Sequence, residues 1–494
     1  MWINFLSKFK SYKLYLVIAV LLGVFVRFYG LDIQGLWFDE LVVIFPAIYK
    51  NLDMLQALLL NDLHPPLYPL FLYSWITTLG GSEILIRLPS AIAGVLAIVF
   101  MYLFSKTIFN KYIATSSTIL IALSSAAIVY SQEARNYSFV LLFSTISTLY
   151  WLDLLKKIDN SEISQKELII YWFICIFTSY LHYFGAAFIF FQLVYLLIAS
   201  LHVKRHIKEM LFFILMFACT FLPWLFTQYS YIKVVNSEQF WISKPDITSI
   251  SLLLDFIFNK KLIIFLLIPI LISVIKKELF IEIKQTNLRS PIIALLYLAL
   301  FPVLVIFLIS QTVPVFYPRY FIVILSPVYL LIPILISLNP FFIGIKNTIY
   351  IFIISLASFL LFLFVPGNNI LDNNKTFYQP YKQQWREASK YVMDNYAENT
   401  AIFVDRHPFM YSYYFDKFQK YQGKINIIEY KFSITEDNLY EISKKFDTVF
   451  FFSTFSNISE NMKSSLKKAC NEDKENDFTG IFVHKCSLNK SQKP

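Results

Sequence analysis

Charged side chains are scarce in this sequence. Only 15% of its 494 residues are Asp, Glu, Lys or Arg, whereas 57% are hydrophobic, and the mean hydropathy is +0.58. A soluble domain of this composition would expose a large apolar surface to water. The scarcity of charge therefore argues against a soluble enzyme or binding module and predicts an integral membrane protein.

Other features are also absent from the sequence. No Gly-rich phosphate-binding loop occurs, which argues against an ATP-driven transporter. No small-residue cleavage site follows the apolar run at 14–28, so we expect an uncleaved first helix. There is no Cys-x-x-Cys pair, and neither His64 nor His182 has another His four residues away, so no metal site is predicted. A divalent cation at these histidines or at Asp39 and Glu40 stays an alternative.

Basic residues outnumber acidic residues, 43 to 33, which gives a net charge of +10. They lie in short connectors between apolar runs, as the positive-inside rule predicts for cytoplasmic loops, and not in one basic patch. We therefore expect membrane lipids around the chain and no nucleic acid partner.

Apolar runs of about 20 residues, long enough to cross a bilayer, predict eleven membrane-spanning helices. A cytoplasmic amino terminus places the basic connectors inside and the carboxyl terminus outside the inner or plasma membrane. The predicted fold is an α-helical polytopic membrane domain at 1–366, with a first outer loop at 30–85 and a small extracytoplasmic α/β domain at 367–494. The predicted spans are 14–29, 86–105, 113–131, 137–155, 167–183, 185–201, 209–228, 261–275, 291–311, 320–338 and 347–366. The basic connectors contain Lys106, Lys111, Lys156, Lys157, Lys204, Arg205, Lys208, Lys276, Lys277, Lys284 and Lys346.

The apolar run Leu67 to Leu79 is only thirteen residues long and follows Pro65 and Pro66. If it crossed the membrane, every later helix would reverse and the basic connectors would lie outside. We therefore predict a re-entrant or interfacial helix that begins at the stiff proline pair.

The sequence becomes polar after Pro366 and Gly367. Alternating apolar residues predict strands near 401–404, 425–430, 447–452 and 480–485, with amphipathic helices between them, for example 383–396. Outside the membrane, Cys470 and Cys486 can form a disulfide. Cys175 and Cys219 lie within predicted spans, where we expect them to be packing residues.

Unusual polar residues gather at the predicted outer ends of the helices. Ionisable groups at membrane helices are costly and usually face a cavity, so they are candidates for function. Each also has a simpler interpretation: an arginine at a helix end can anchor a lipid headgroup, a histidine can pack, and aromatics can form the interfacial belt. The residues are Asp39, Glu40, His64, Arg87, Gln132, Glu133, Arg135, Tyr137, His182, Tyr183, Arg319 and Tyr320.

Five short motifs occur in a fixed order. They are Trp37-Phe38-Asp39-Glu40, His64-Pro65-Pro66-Leu67-Tyr68, Arg87-Leu88-Pro89-Ser90-Ala91, Gln132-Glu133-Ala134-Arg135-Asn136-Tyr137 and Pro318-Arg319-Tyr320. This order, over about residues 14–340, resembles the GT-C glycosyltransferases, in particular the protein O-mannosyltransferases and the lipid A aminoarabinose transferase. His64 departs from the Lys expected before the two prolines in the lipid A enzymes, which argues against lipid A modification.

The resemblance implies transfer of a sugar from a polyprenyl-phosphate donor to a lipid, glycan or protein acceptor on the outer face of the membrane. It implies that Asp39 is the base, with Glu40 orienting a neighbour or a cation, although the reverse assignment stays open. Arginines suit the donor phosphate because they donate planar, charge-assisted hydrogen bonds. A single carboxylate at the anomeric carbon favours an inverting displacement. The alternatives are a polyprenyl-linked glycan transporter or flippase and a glycan ligase.

Overall fold

The structure, a computed structural model, describes residues 12–61, 64–160, 163–227, 241–258, 289–338, 347–364, 382–405, 409–419, 424–430, 436–454 and 458–488. The chain divides into two compact units. The first unit comprises 1–31, 52–80 and 84–376, and the second comprises 32–51, 81–83 and 377–494. Two pieces of the predicted first outer loop, 32–51 and 81–83, thus belong to the same unit as the carboxyl-terminal residues.

Most of the described chain is helical. The helices are α1 (Tyr12–Phe28), α2 (Phe38–Ile48), α3 (Leu52–Asn61), α4 (Leu67–Leu79), α5 (Glu83–Ile108), α6 (Lys111–Ala122), α7 (Ser125–Ser131), α8 (Tyr137–Asn160), α9 (Gln165–Leu181), α10 (Tyr183–Val203), α11 (Ile207–Thr227), α12 (Ile247–Phe258), α13 (Arg289–Ile309), a 3-10 helix (Pro318–Ile324) continued by α14 (Leu325–Ser337), α15 (Asn347–Phe364), α16 (Trp385–Asp394), α17 (Phe409–Phe418), α18 (Glu436–Ser443) and α19 (Glu460–Ala469).

The predicted polytopic helical fold is confirmed, but the count of eleven spans is not. Among the described residues, six helices are long and apolar enough to cross a membrane, or seven if α6 and α7 form one span. Each predicted span that lies within the described residues is helical, although 113–131 is broken into two helices, 320–338 begins as a 3-10 helix, and α1 and α9 have only 17 residues each. The predicted span 261–275 lies outside the described residues.

The predicted span 113–131 is broken: α6 and α7 meet at an angle of 54°. The break leaves carbonyl groups at the end of α6 without their usual intrahelical partners. Arg27, fully buried in α1, donates hydrogen bonds to the oxygens of Ile121 (3.1 Å) and Ala122 (2.9 Å). The α1 arginine therefore supplies the donors that a continuous helix would have supplied.

The predicted first outer loop contains helices as well as turns. Asp39 and Glu40 lie in the first turn of α2, so this part of the predicted outer loop is helical. The predicted short helix α4 spans Leu67–Leu79, and Gly80 follows it with a φ of +109°, a conformation that favours glycine. The re-entrant or interfacial placement of α4 stays a prediction.

The second unit contains a five-stranded sheet in the order β2-β1-β3-β5-β4. The strands are β1 (Thr400–Val404), β2 (Asn426–Glu429), β3 (Thr448–Thr454), β4 (Cys470–Phe478) and β5 (Ile481–Leu488). Strand β1 pairs in parallel with β2 and β3, whereas β5 is antiparallel to both β3 and β4. Strand β3 has a continuous apolar run because both of its faces are covered. One face contributes Phe451 to a core with Leu439 and Leu466, and on the other face Phe452 contacts Tyr411 at a ring-centroid distance of 4.8 Å.

Candidate active site

A cluster of polar and aromatic side chains forms in the first unit around His182. This residue separates α9 from α10 in an extended conformation, and its Nδ1 accepts a hydrogen bond from the Phe184 amide at 3.0 Å. That bond caps α10 and fixes the imidazole orientation. His182 is only 5% exposed, and its Nε2 has no hydrogen-bond partner among the described residues. A buried nitrogen of this kind is available to a ligand.

His64 and Arg135 extend the cluster. The rings of His64 and His182 lie 5.4 Å apart, edge to face. Nη2 of Arg135 lies 3.3 Å from Nε2 of His64. The neighbouring residue Asn136 donates to the Leu181 carbonyl at 2.6 Å, which ties the start of α8 to the end of α9. The predicted site residues of these segments are thus brought together by direct contacts.

Aromatic rings form one side of the cluster. Tyr137 and Tyr320 lie 5.8 and 5.1 Å from the His182 ring, and 6.5 Å from each other. The guanidinium of Arg319 lies 5.7 Å from both tyrosine rings, 4.9 Å from the ring of Tyr317 and 5.5 Å from that of Trp241. Cation–π contacts at these distances orient a charged group that would otherwise sample many rotamers. Trp241 and Tyr317 are not among the site residues predicted from the sequence, although Tyr317 stands only two residues before Arg319.

Three predicted site residues make structural contacts. Arg87, 2% exposed, donates to the Leu31 carbonyl at 2.6 Å. Gln132 donates to the carbonyls of Val26 and Tyr29 at 2.7 and 2.8 Å, so both side chains fasten the end of α1. The Tyr183 hydroxyl accepts a bond from the Trp224 indole at 3.1 Å. Glu133, singled out with them, is buried beside Gln132.

The two carboxylates belong to the second unit, where they differ in environment. Glu40 is fully buried and accepts a hydrogen bond from the Trp37 amide at 3.2 Å, as a helix-capping glutamate does. Asp39, one position earlier, is partly exposed. Adjacent residues on a helix point in directions about 100° apart, so the two do not form a carboxylate pair.

Potential metal-binding side chains are dispersed in the part of the chain that the structure describes. Within the described ranges, no three His, Cys, Asp or Glu residues are arranged to hold a metal ion. His202 and His206 have the four-residue spacing of a helical metal motif, but α10 ends at Val203, and Lys204 and His206 have positive φ angles. The two histidines therefore do not share one helix face.

Part of the sequence matches a known protein family. The sequence model of the dolichyl-phosphate-mannose-protein mannosyltransferase family matches residues 63–227. The matched stretch contains His64, Arg135 and His182 but not Asp39 or Arg319. A search of curated proteins found no matching sequence.

The fold matches solved structures over nearly the whole chain. The crystal structure of ArnT from Cupriavidus metallidurans in the apo state is 10% identical, with a TM-score of 0.58 and coverage of 95% of this chain and 97% of that chain. The same protein bound to undecaprenyl phosphate is 10% identical, with a TM-score of 0.55 and coverage of 97% and 99%. The oligosaccharyltransferase AglB from Archaeoglobus fulgidus is a weaker match, 12% identical, with a TM-score of 0.47 and coverage of 98% and 75%.

The family match over residues 63–227 and the ArnT-like fold make this chain similar to membrane glycosyltransferases of the GT-C superfamily. Within that superfamily the chain is similar to the protein mannosyltransferases and to ArnT. The resemblance drawn from the five motifs is thereby confirmed.

Proposed function

We propose that this glycosyltransferase transfers a sugar from a polyprenyl-phosphate donor to a hydroxyl of a lipid, glycan or protein acceptor on the outer face of the membrane. The cluster around His182 carries the proposal. It places the guanidinium groups of Arg135 and Arg319 beside a buried imidazole in a membrane-spanning unit. Guanidinium groups bind phosphate through charge-assisted hydrogen bonds, and aromatic rings suit a sugar or a prenyl chain. The undecaprenyl phosphate bound to ArnT supports the same class of donor.

In the proposed reaction, Asp39 takes the proton from the acceptor hydroxyl as the hydroxyl oxygen attacks the anomeric carbon of the donor. The bond between that carbon and the phosphate oxygen breaks, and polyprenyl phosphate leaves with its negative charge held by the arginines. No strong acid is required because phosphate is already a good leaving group. One direct displacement inverts the configuration of the anomeric carbon.

Asp39 suits the base better than Glu40. The Glu40 carboxylate is buried and accepts the Trp37 amide hydrogen, whereas Asp39 is partly exposed at the first turn of the same helix. A general base must reach the proton of an incoming acceptor, and a buried capping group cannot do so without breaking its bond. Glu40 then has the orienting role.

The test is sugar transfer by the purified protein in detergent, with a panel of polyprenyl-phosphate monosaccharides as donors. Mass spectrometry of glycans and glycolipids identifies the acceptor as the molecule that lacks a sugar in cells without the protein. We expect turnover with one donor, and a fall of roughly 10² to 10⁴ in turnover for Asp39→Asn with donor binding retained. Movement of the donor lipid between the two leaflets of a vesicle membrane, without transfer of its sugar, would support a flippase and contradict the proposal. Near-normal turnover of a folded Asp39→Asn enzyme would exclude Asp39 as the base.

A further inference from the structure

The segment that leads into Asp39 is held by Arg386, a residue far away in the sequence but in the same unit. Arg386 lies in the first turn of α16. Its Nη1 donates to the Asp32 carbonyl at 2.6 Å, and its Nη2 donates to the Ile33 carbonyl at 2.7 Å. Nη1 also binds the buried Glu83 carboxylate at 2.8 Å. A planar guanidinium presents its donors from separate nitrogens at fixed angles, whereas an ammonium group is a single nitrogen on a flexible side chain.

Tyr414 of α17 holds the next residues of the segment. The Leu36 amide donates to the Tyr414 hydroxyl at 2.6 Å, and Tyr414 is fully buried. Gly35 permits this approach, since a Cβ atom there would lie 2.9 Å from the Cβ of Arg386 and 3.3 Å from the Tyr414 hydroxyl. The backbone before α2 is therefore packed directly against α16 and α17.

Both ends of α2, the helix that contains Asp39, also contact carboxyl-terminal residues of the second unit. The ammonium group of Lys382 lies 3.4 Å from the ring centre of Trp37, which precedes α2. At the other end of the helix, the Tyr49 hydroxyl donates to Asp416 of α17 at 2.7 Å. Helix α2 is thus fixed at both ends by residues between 382 and 416.

We infer that Arg386, Tyr414 and Lys382, here called the clamp residues, position Asp39 for proton abstraction. The carboxyl-terminal part of the second unit is thereby needed for catalytic turnover as well as for any recognition of the acceptor. The inference rests on the proposed role of Asp39. Asp39 lies three residues after Leu36, in the first turn of α2, so a shift of the clamped backbone also shifts its carboxylate. A misplacement of about 1 Å can lower a rate by about 10²-fold.

Arg386→Ala in the full-length protein tests the inference. We expect kcat to fall by about 10- to 100-fold while the KM for the polyprenyl-phosphate donor changes by less than about twofold. Arg386→Lys should restore little, because lysine has a single nitrogen and lacks the planar fork whose two nitrogens reach the Asp32 and Ile33 carbonyls. Lys390→Ala is the matched control, since Lys390 is an exposed cation one turn later on α16, and it should turn over normally.

A second variant keeps the test decisive if Arg386→Ala does not fold. Tyr414→Phe removes only the hydroxyl that accepts the Leu36 amide, and it should also lower kcat more than it changes KM. In the double variant Asp39→Asn/Arg386→Ala, kcat should stay within about twofold of that of Asp39→Asn alone, because Arg386 acts through Asp39. A purely structural role would lower both constants and would multiply with the loss at Asp39.

The outcomes separate the two proposals. If Asp39→Asn is slow but folded Arg386→Ala and Tyr414→Phe turn over normally, the clamp inference is overturned and the role of Asp39 stands. If Asp39→Asn turns over normally, the assignment of the base fails, and the clamp inference fails with it.

Discussion

At the scale of single residues, the motifs contained most of the residues of the polar cluster. They did not show which of the residues line the cluster and which make structural contacts. Arg87 and Arg319 both stood at predicted helix ends. Arg87 donates to the Leu31 carbonyl, three residues beyond the end of α1, whereas Arg319 lies among four aromatic rings. Nothing in the sequence distinguishes the two, since the difference depends on carbonyls and rings contributed by other segments.

Arg319→Ala is expected to weaken donor binding. A charge-assisted hydrogen bond contributes about 1.5–3 kcal/mol, so the KM for a polyprenyl-phosphate donor should rise by roughly 10- to 100-fold. Arg319→Lys should recover the charge but not the planar stacking on the rings. Lys208→Ala, an exposed cation on α11, serves as the control. Unchanged donor titration with Arg319→Ala would remove this residue from the phosphate site.

Glu40→Gln separates the capping role from the catalytic role. The glutamine side-chain oxygen can still accept the Trp37 amide hydrogen, so we expect turnover to fall by about tenfold or less, equivalent to about 1.4 kcal/mol. Glu40→Leu removes the acceptor and should lower the free energy of unfolding by about 1–3 kcal/mol. Turnover assays and thermal unfolding measure the two effects. A larger loss of turnover for Glu40→Gln than for Asp39→Asn would indicate that Glu40 is the base and Asp39 the orienting residue.

At the scale of elements, apolar runs of about 20 residues predicted the long helices to within a few residues, because each must bury or face lipid along its length. The shorter helices α2, α3 and α12 were not predicted. Two further features could not be predicted from apolar runs. The break between α6 and α7 is sustained by Arg27, a residue of another helix. Strand β4 consists mainly of polar and charged residues, and it exists because it pairs with β5 at the edge of the sheet. In both cases the deciding interaction is distant in the sequence or belongs to the partner strand.

The hairpin of β4 and β5 carries the predicted disulfide between Cys470 and Cys486, which the structure contains. Their sequence separation of 16 residues corresponds to a stabilisation of about 3 kcal/mol in the chain-entropy account. We expect Cys470→Ser/Cys486→Ser to make the second unit more sensitive to protease while the helical unit keeps its thermal transition. Cys219→Ser, at an exposed free thiol, is the control. Equal protease resistance of the double variant, or two free thiols by non-reducing mass spectrometry, would contradict this expectation.

At the scale of the whole molecule, the connectivity of the first unit separates basic residues from the candidate site. Helices α8 and α10 end near Lys157 and Lys204, whereas His182 stands at the opposite ends of the adjacent helices, between α9 and α10. Lys157 forms ion pairs with Asp153 at 2.7 Å and with Glu167 at the start of α9. If the basic connectors lie inside, as the positive-inside rule predicts, the same alternation predicts that the cluster lies outside.

This alternation predicts the orientation of the chain in the membrane. Lys156 and Lys467 are both exposed lysines at helix ends, in α8 of the first unit and α19 of the second. On intact cells, an impermeant thiol reagent should label Lys467→Cys, and it should label Lys156→Cys only after the cells are permeabilised. The parent protein, with its own cysteines unchanged, gives the background for both. The disulfide agrees with an outer location of Lys467, since disulfides persist in oxidising compartments. Labelling of Lys156→Cys but not of Lys467→Cys on intact cells would contradict the predicted orientation. Asp39 and the cluster would then be on the cytoplasmic side, which would also contradict the proposed reaction on the outer face.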